Sequence, residues 1–234
     1  MKKGIYQINA KGTKKAEVLI YENIGEGWFG GLSAKRFAED VKALGPLDEL
    51  KVRINSDGGN VFDGIAIYNT LVKTGARIIV DIDGLAASIA SIVAMAGDEI
   101  RIAHNGYMMI HDPWSVIGGT ADDFRQMADT MDKIRDTLLQ TYCKREGADE
   151  ETLSSMMSAE TWLTAQEALE QGLVDTVSEP VAMAALASCE LKNFKNVPDA
   201  LAKALKEPEG NVERNLTRRA KLAAMGQAAR KSRS

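Results

Sequence analysis

The chain has 234 residues, 45% of them hydrophobic and 26% charged, which suffices for one substantial core with an appendage but not for two large domains. No apolar run approaches the roughly 18 residues that span a bilayer, and the opening Met1-Lys2-Lys3-Gly4-Ile5 lacks the apolar region of a signal peptide, so a cytoplasmic protein with no membrane partner is expected. The net charge of −4 conceals an asymmetry: residues 211–234 hold seven Lys or Arg against the single acid Glu213, and this surplus of six leaves the rest near −10, a balance that disfavours nucleic-acid binding by the body.

Residues 4–9 and 16–21 read as short strands, and Ser33 opens an amphipathic helix with Phe37, Val41 and Leu44 at helical spacing. A repeat follows. Lys51 to Asn55 is a strand, Ser56-Asp57-Gly58-Gly59 a turn, and Val61 to Lys73 a helix; then Arg77 to Ile82 is a strand, Asp83-Gly84 a turn, and Ala87 to Met95 a small-residue helix. Strands alternating with helices of this length predict an α/β layer architecture with largely parallel pairing. Short strands at Glu99 to Ile102 and Tyr107 to Ile110 precede a long periodic stretch from Thr120 to Arg145. Its apolar residues Phe124, Met127, Met131, Ile134 and Leu138 form a narrow seam, suited either to a core helix or to packing on another subunit. Thr161 to Leu163 reads as a last strand, Thr164 and Glu167 as a capping box, and Gly172 as the stop after the helix. A domain over 1–180 is expected, followed by an Ala-rich and then basic tail over 181–234, read as solvated and partly disordered.

The chemistry-bearing residues are few. Cys143 and Cys189 share no metal spacing, so neither a disulfide framework nor a zinc site is expected. Of the two histidines, His104 lies in a turn-like Ala103-His104-Asn105-Gly106, whereas His111 ends an apolar strand just before Asp112-Pro113, where sites in α/β sheets are assembled. Ser88 opens the small-residue helix after Gly84-Leu85-Ala86-Ala87, so the next N–H, that of Ile89, points the same way and a helix N-terminus favours developing negative charge. Ser88 as a mere cap and Ser91 as a rival nucleophile both remain open on spacing alone. The arrangement is not a Gly-x-Ser-x-Gly elbow. Gly58 and Gly59 permit close backbone approach at the end of the preceding strand.

Taken in order, Asn55-Ser56-Asp57-Gly58-Gly59, Gly84-Leu85-Ala86-Ala87-Ser88, Met109-Ile110-His111-Asp112-Pro113 and Glu160-Thr161-Trp162-Leu163 to Gly172-Leu173-Val174-Asp175 resemble the signatures of the Clp protease proteolytic subunit family over residues 16–178. The resemblance implies a crotonase-like spiral of β-β-α units with a long oligomerisation helix, and a serine endopeptidase requiring no cofactor. It makes Ser88 the nucleophile, His111 the general base and Glu160, where the family usually has aspartate, the orienting acid. Gly59 and Ile89 would supply the oxyanion N–H groups with Gly58 supporting the turn. Asp57 replaces the family's usual proline and Asp112 its usual glutamine. Implied partners are peptide or protein substrates, bound as an added strand, and further copies of the chain in a heptameric ring or stacked rings. The start lacks a recognisable axial-loop segment, which leaves dependence on an AAA+ ATPase open. The segment Glu22 to Gly31, with Trp28-Phe29-Gly30-Gly31, and the tail look more like the head-maturation proteases of tailed phages, which act on capsid or scaffold proteins. General protein turnover, an acyl-CoA enzyme of the same fold and a catalytically silent scaffold protein are the alternatives.

Overall fold

The computed structural model describes residues 5–10, 14–26, 31–179, 191, 194–199 and 201. An eight-stranded mixed sheet forms from β1 (Ile5–Ala10), β2 (Lys15–Tyr21), β3 (Glu49–Ser56), β4 (Arg77–Ala87), β5 (Glu99–Ala103), β6 (Tyr107–Ile110), β7 (Thr161–Thr164) and β8 (Thr176–Ser178). Its main path runs β1-β2-β3-β4-β5-β8, with β6 beside β4 and β7 beside β6. The pairs from β2 to β5, together with β4–β6 and β5–β8, are parallel; β1–β2 and β6–β7 are antiparallel. Six helices accompany the strands among the described residues: α1 (Ala34–Ala43), α2 (Val61–Lys73), α3 (Ile89–Ala94), α4 (Ala121–Tyr142), α5 (Glu150–Ser158) and α6 (Ala165–Glu170).

The alternation in β3 explains its place. Leu50, Val52 and Ile54 face the core, while Lys51 and Arg53 on the other face pair with Asp81 and Asp83 of β4. The expected turn at Asp83-Gly84 is instead continuous strand. Residues Ile79 to Ile82 of β4 pair with β5, and Leu85 to Ala87 pair with β6, so the strand changes partner where the turn was predicted. Asp83 is a turn former by propensity, but here its carboxylate accepts hydrogen bonds from the Tyr21 hydroxyl and from Arg53 Nε, and tertiary pairing overrides the local preference. The helix after β4 is correspondingly shorter than expected, covering Ile89–Ala94 with every residue buried.

Ser33 stands at the N-cap of α1, with Phe37 and Val41 buried, and the Thr164–Glu167 capping box opens α6 as expected. Two elements had no counterpart in the sequence reading: α5, capped by Asp149 and anchored by buried Leu153 and Met157, and the three-residue β8. Helix α4 begins with a Thr120–Asp123 capping box, yet only Leu138, Leu139, Thr141 and Tyr142 are buried. Its first turns lie off the core, Phe124 is exposed, and Met127, Met131 and Ile134 are half-buried, so within one chain α4 is not the core helix that the seam also allowed.

Beyond the expected domain end near residue 180, Leu191 is buried and Phe194 packs on His111 and Trp162, and the compact unit that holds the sheet runs to Asn196. In the second unit, which begins at Val197, the Leu201 N–H donates to the Pro198 carbonyl at 3.0 Å. Most of the expected Ala-rich and basic tail lies outside the described residues. Among the described residues, no helix is long and apolar enough to cross a membrane.

Candidate active site

Ser88 sits at the sharp junction between β4 and α3 with φ 54° and ψ −129°. Among the described residues, the only non-glycine positions with positive φ are Ser88 and Glu160. Such backbone costs on the order of 1–3 kcal/mol and persists where surroundings over-determine it. Around Ser88 they do. Its N–H donates to the Met109 carbonyl at 2.9 Å, tying the elbow to β6, and its carbonyl accepts from Ser91 N–H at 3.0 Å and from Ser91 Oγ at 2.5 Å. Ser91 Oγ in turn meets the Tyr142 hydroxyl at 2.6 Å; since Ser91 spends its proton on the Ser88 carbonyl, Tyr142 is the donor. Burial pushes the Tyr142 phenol upward, which keeps that donor protonated. Ser91 is fully buried and faces α4, so the rival serine supports the elbow and does not open to solvent. The strand–turn–helix geometry is that of a nucleophile elbow in which fully buried Ala86 and Ala90 stand two places before and after the serine. Small residues there, without glycine, were the available signal.

The parallel pairing of Ala87 with Met109 brings the end of β6 beside the elbow, and His111 Nε2 lies 2.7 Å from Ser88 Oγ. Burial holds the imidazole below the ordinary histidine value of 6.5, against the opposing charges of Glu160 and then Asp112. Asp112 is engaged elsewhere. Its Oδ1 accepts from Arg135 Nε of α4 at 2.9 Å and its Oδ2 from Ser158 Oγ at 3.0 Å.

Glu160 links α5 to β7 with φ 50°. No hydrogen bond joins it to His111 among the described residues; its Oε1 accepts from the backbone N–H groups of Lys195 at 2.6 Å and Asn196 at 2.7 Å. Glu160 is therefore near enough to His111 for its negative charge to favour the imidazolium, without bonding to it. His104 is not brought to the site: it lies in an exposed turn after β5, its N–H donating to the Ser178 carbonyl.

The glycine turn after β3 closes the other side. Gly58 has φ 94°, and a Cβ on it would stand 2.7 Å from the Ala87 carbonyl oxygen and 2.8 Å from Ser88 Cβ, so the glycine lets the turn abut the elbow. Bonds fixing this turn use the N–H groups of Ile24, Gly58 and Asn60 and leave out that of Gly59. The Ile89 N–H, first in α3, has no intrahelical acceptor. Beside Ser88 opens a cavity of about 320 Å³ walled by Ile24, Asp57, Gly59, Trp114 and Phe194. Among the described residues no group of three or more His, Cys, Asp or Glu is placed to hold a metal ion. Phe194 and its neighbours escaped the sequence reading; an aromatic residue within the polar Lys192-Asn193-Phe194-Lys195-Asn196 was the only local sign.

Comparison with known proteins agrees with this architecture. The Clp protease family matches residues 3–181. The ATP-dependent Clp protease proteolytic subunit of Deinococcus radiodurans is 35% identical over 134 residues, covering 56% of this chain. The matched region spans 66% of that relative's length, just under two thirds. With most of its length matched and a mixed α/β sheet of the kind this fold requires, the chain belongs to the Clp protease family.

Proposed function

We propose that the chain is a serine endopeptidase, with Ser88 as nucleophile, His111 as general base and Glu160 as the acid that stabilises the imidazolium. The observation that supports this most is the 2.7 Å approach of His111 Nε2 to Ser88 Oγ on a strained elbow. In the first step Ser88 Oγ bonds to the substrate carbonyl carbon while His111 Nε2 takes its proton. The oxyanion falls to the N–H groups of Gly59 and Ile89, as the glycine turn and the start of α3 favour. His111 then protonates the leaving amine as the C–N bond breaks. Water, deprotonated by His111, hydrolyses the ester to a carboxylic acid and free Ser88.

The substrates we infer are extended polypeptides, and the working form an oligomer of this chain, which would cover the apolar seam of α4. The narrower reading, a head-maturation protease acting on capsid or scaffold proteins, rests on sequence alone, on Trp28-Phe29-Gly30-Gly31 and the basic tail. Trp28, Phe29 and Gly30 lie outside the described residues. Cleavage of a co-expressed scaffold or capsid protein by the wild type but not by Ser88→Ala supports it; absence of cleavage leaves general turnover, in which an ATPase partner would feed the chamber.

The activity itself is tested by intact-mass analysis after a fluorophosphonate probe. A single adduct is expected on wild type and on Ser91→Ala, and none on Ser88→Ala. Peptide hydrolysis should fall on the order of 10⁴–10⁶-fold in Ser88→Ala and in His111→Ala, because triad members act as a unit. No adduct and no hydrolysis in the wild type would move the assignment to a silent scaffold, and thioester turnover to an acyl-CoA enzyme.

A further inference from the structure

Three consecutive residues beyond the expected domain end reach the site. The Phe194 ring meets the His111 ring edge-on, with centroids 5.7 Å apart and planes at 82°, and meets Trp162 of β7 at 5.7 Å and 80°. The N–H groups of Lys195 and Asn196 both donate to Glu160 Oε1, and Asn196 Nδ2 donates to the Ala159 carbonyl at 2.7 Å. One tripeptide thus contacts the base, the acid and the strand behind them. We propose that Phe194–Asn196 is a strap built into the catalytic site, with Phe194 as a positioning residue that seats the His111 ring and the Lys195 and Asn196 N–H groups as the clamp that fixes Glu160. The proposal rests on the serine-peptidase reading above.

Glu160 holds a left-handed backbone that its residue type disfavours, and two hydrogen bonds to its carboxylate, with a third to the preceding carbonyl, supply the outside constraint such a conformation needs. Hydrogen bonds of this kind to a carboxylate are short and directional, and fix the orientation in which it faces the imidazole. An aromatic edge against the imidazole removes water from one side and restricts ring rotation, in an environment where the facing groups are Ser88, Glu160, and Asp112 paired with Arg135. Nor is the strap a plug. Phe194 forms a wall of the cavity beside Ser88 and leaves that cavity open, at a volume within the range of side-chain and small-ligand sites.

The test uses the full chain with Phe194→Ala and Phe194→Leu. Because the protein has only two histidines, His104 and His111, NMR titration of the imidazole resonances in a Ser88→Ala background reads His111 without requiring activity. We expect the His111 midpoint to rise in Phe194→Ala as water returns, to remain near the parent value in Phe194→Leu, and His104 to be unmoved. In active protein the acid limb of kcat/KM should shift upward in parallel for Phe194→Ala, with kcat reduced roughly 10-fold or more as the base loses its seat. An unchanged His111 midpoint together with unchanged kcat overturns the proposal, as does higher activity in Phe194→Ala, which would make the strap an inhibitory cover. Failure of the serine-peptidase reading is separately visible as absence of a fluorophosphonate adduct on wild-type Ser88.

Discussion

A base that takes a proton from Ser88 must be neutral, and the depressed affinity of His111 for protons keeps it so to lower pH than an exposed histidine. The acid limb of kcat/KM is therefore expected below 6.5, the ordinary histidine value. Glu160 and Asp112 both push the other way, since a nearby negative charge favours the imidazolium. Glu160→Gln removes the larger of these opposing charges, so the acid limb should move to still lower pH. The same change should reduce kcat by roughly 10²-fold, because the imidazolium formed during acylation loses its partner. A pH–rate profile of this variant reports both effects. A lower limb with an unchanged rate would mean that the charge is sensed but not used, and would assign the orienting role to Asp112.

At the scale of elements, the site depends on how closely α3 approaches α2. Gly64 is the fourth residue of α2, its N–H already bonded to the Asn60 carbonyl, and glycine within a helix costs about 1 kcal/mol relative to alanine in propensity. A Cβ on Gly64 would stand 2.1 Å from Ile89 Cγ1, so the glycine is required by packing. Gly64→Ala should push the first residue of α3 away, displacing the N–H proposed to bind the oxyanion. Fluorophosphonate labelling should slow and stability fall by about 1–3 kcal/mol, as overpacking does. A higher melting temperature with unchanged labelling would show that α3 adapts without cost. This contact was not legible in the sequence, since a lone glycine in a helical pattern does not name its neighbour. What was legible was local: the capping box at Thr164 and Glu167, the strand from Lys51 to Asn55, and the family motifs around Ser88 and His111. Missed features depend on distant partners. β4 runs through Asp83-Gly84 because Tyr21 and Arg53 satisfy Asp83, and β8 is strand only because β5 offers it an edge. Phe194 belongs to the site through contacts with His111 and Trp162 that no spacing rule connects.

For the whole molecule, α4 is the element that one chain leaves unfinished. Its base is anchored twice near the site: Tyr142 bonds Ser91 behind the Ser88 carbonyl, and Arg135 pairs with Asp112 next to His111. Its other end presents Phe124, 51% exposed, above half-buried Met127, Met131 and Ile134. Covering a fully exposed side chain of this size is worth about 1.5–3 kcal/mol, and covering the exposed part of these is the term that would drive the association proposed above. Phe124→Asp should weaken that association while sparing the fold of the body, because the Thr120–Asp123 cap and the buried Leu138 to Tyr142 turn are untouched. Sedimentation velocity is expected to show a smaller species at matched concentration, with melting of the body little changed. Since both anchors of α4 end on groups that hold Ser88 and His111, loss of the assembly should slow peptide hydrolysis in step with the fall in sedimentation coefficient. A variant that sediments as the wild type would exclude the Phe124 end of α4 from the interface, whereas a small species with full activity would show that the two anchors hold the site without help from neighbouring copies.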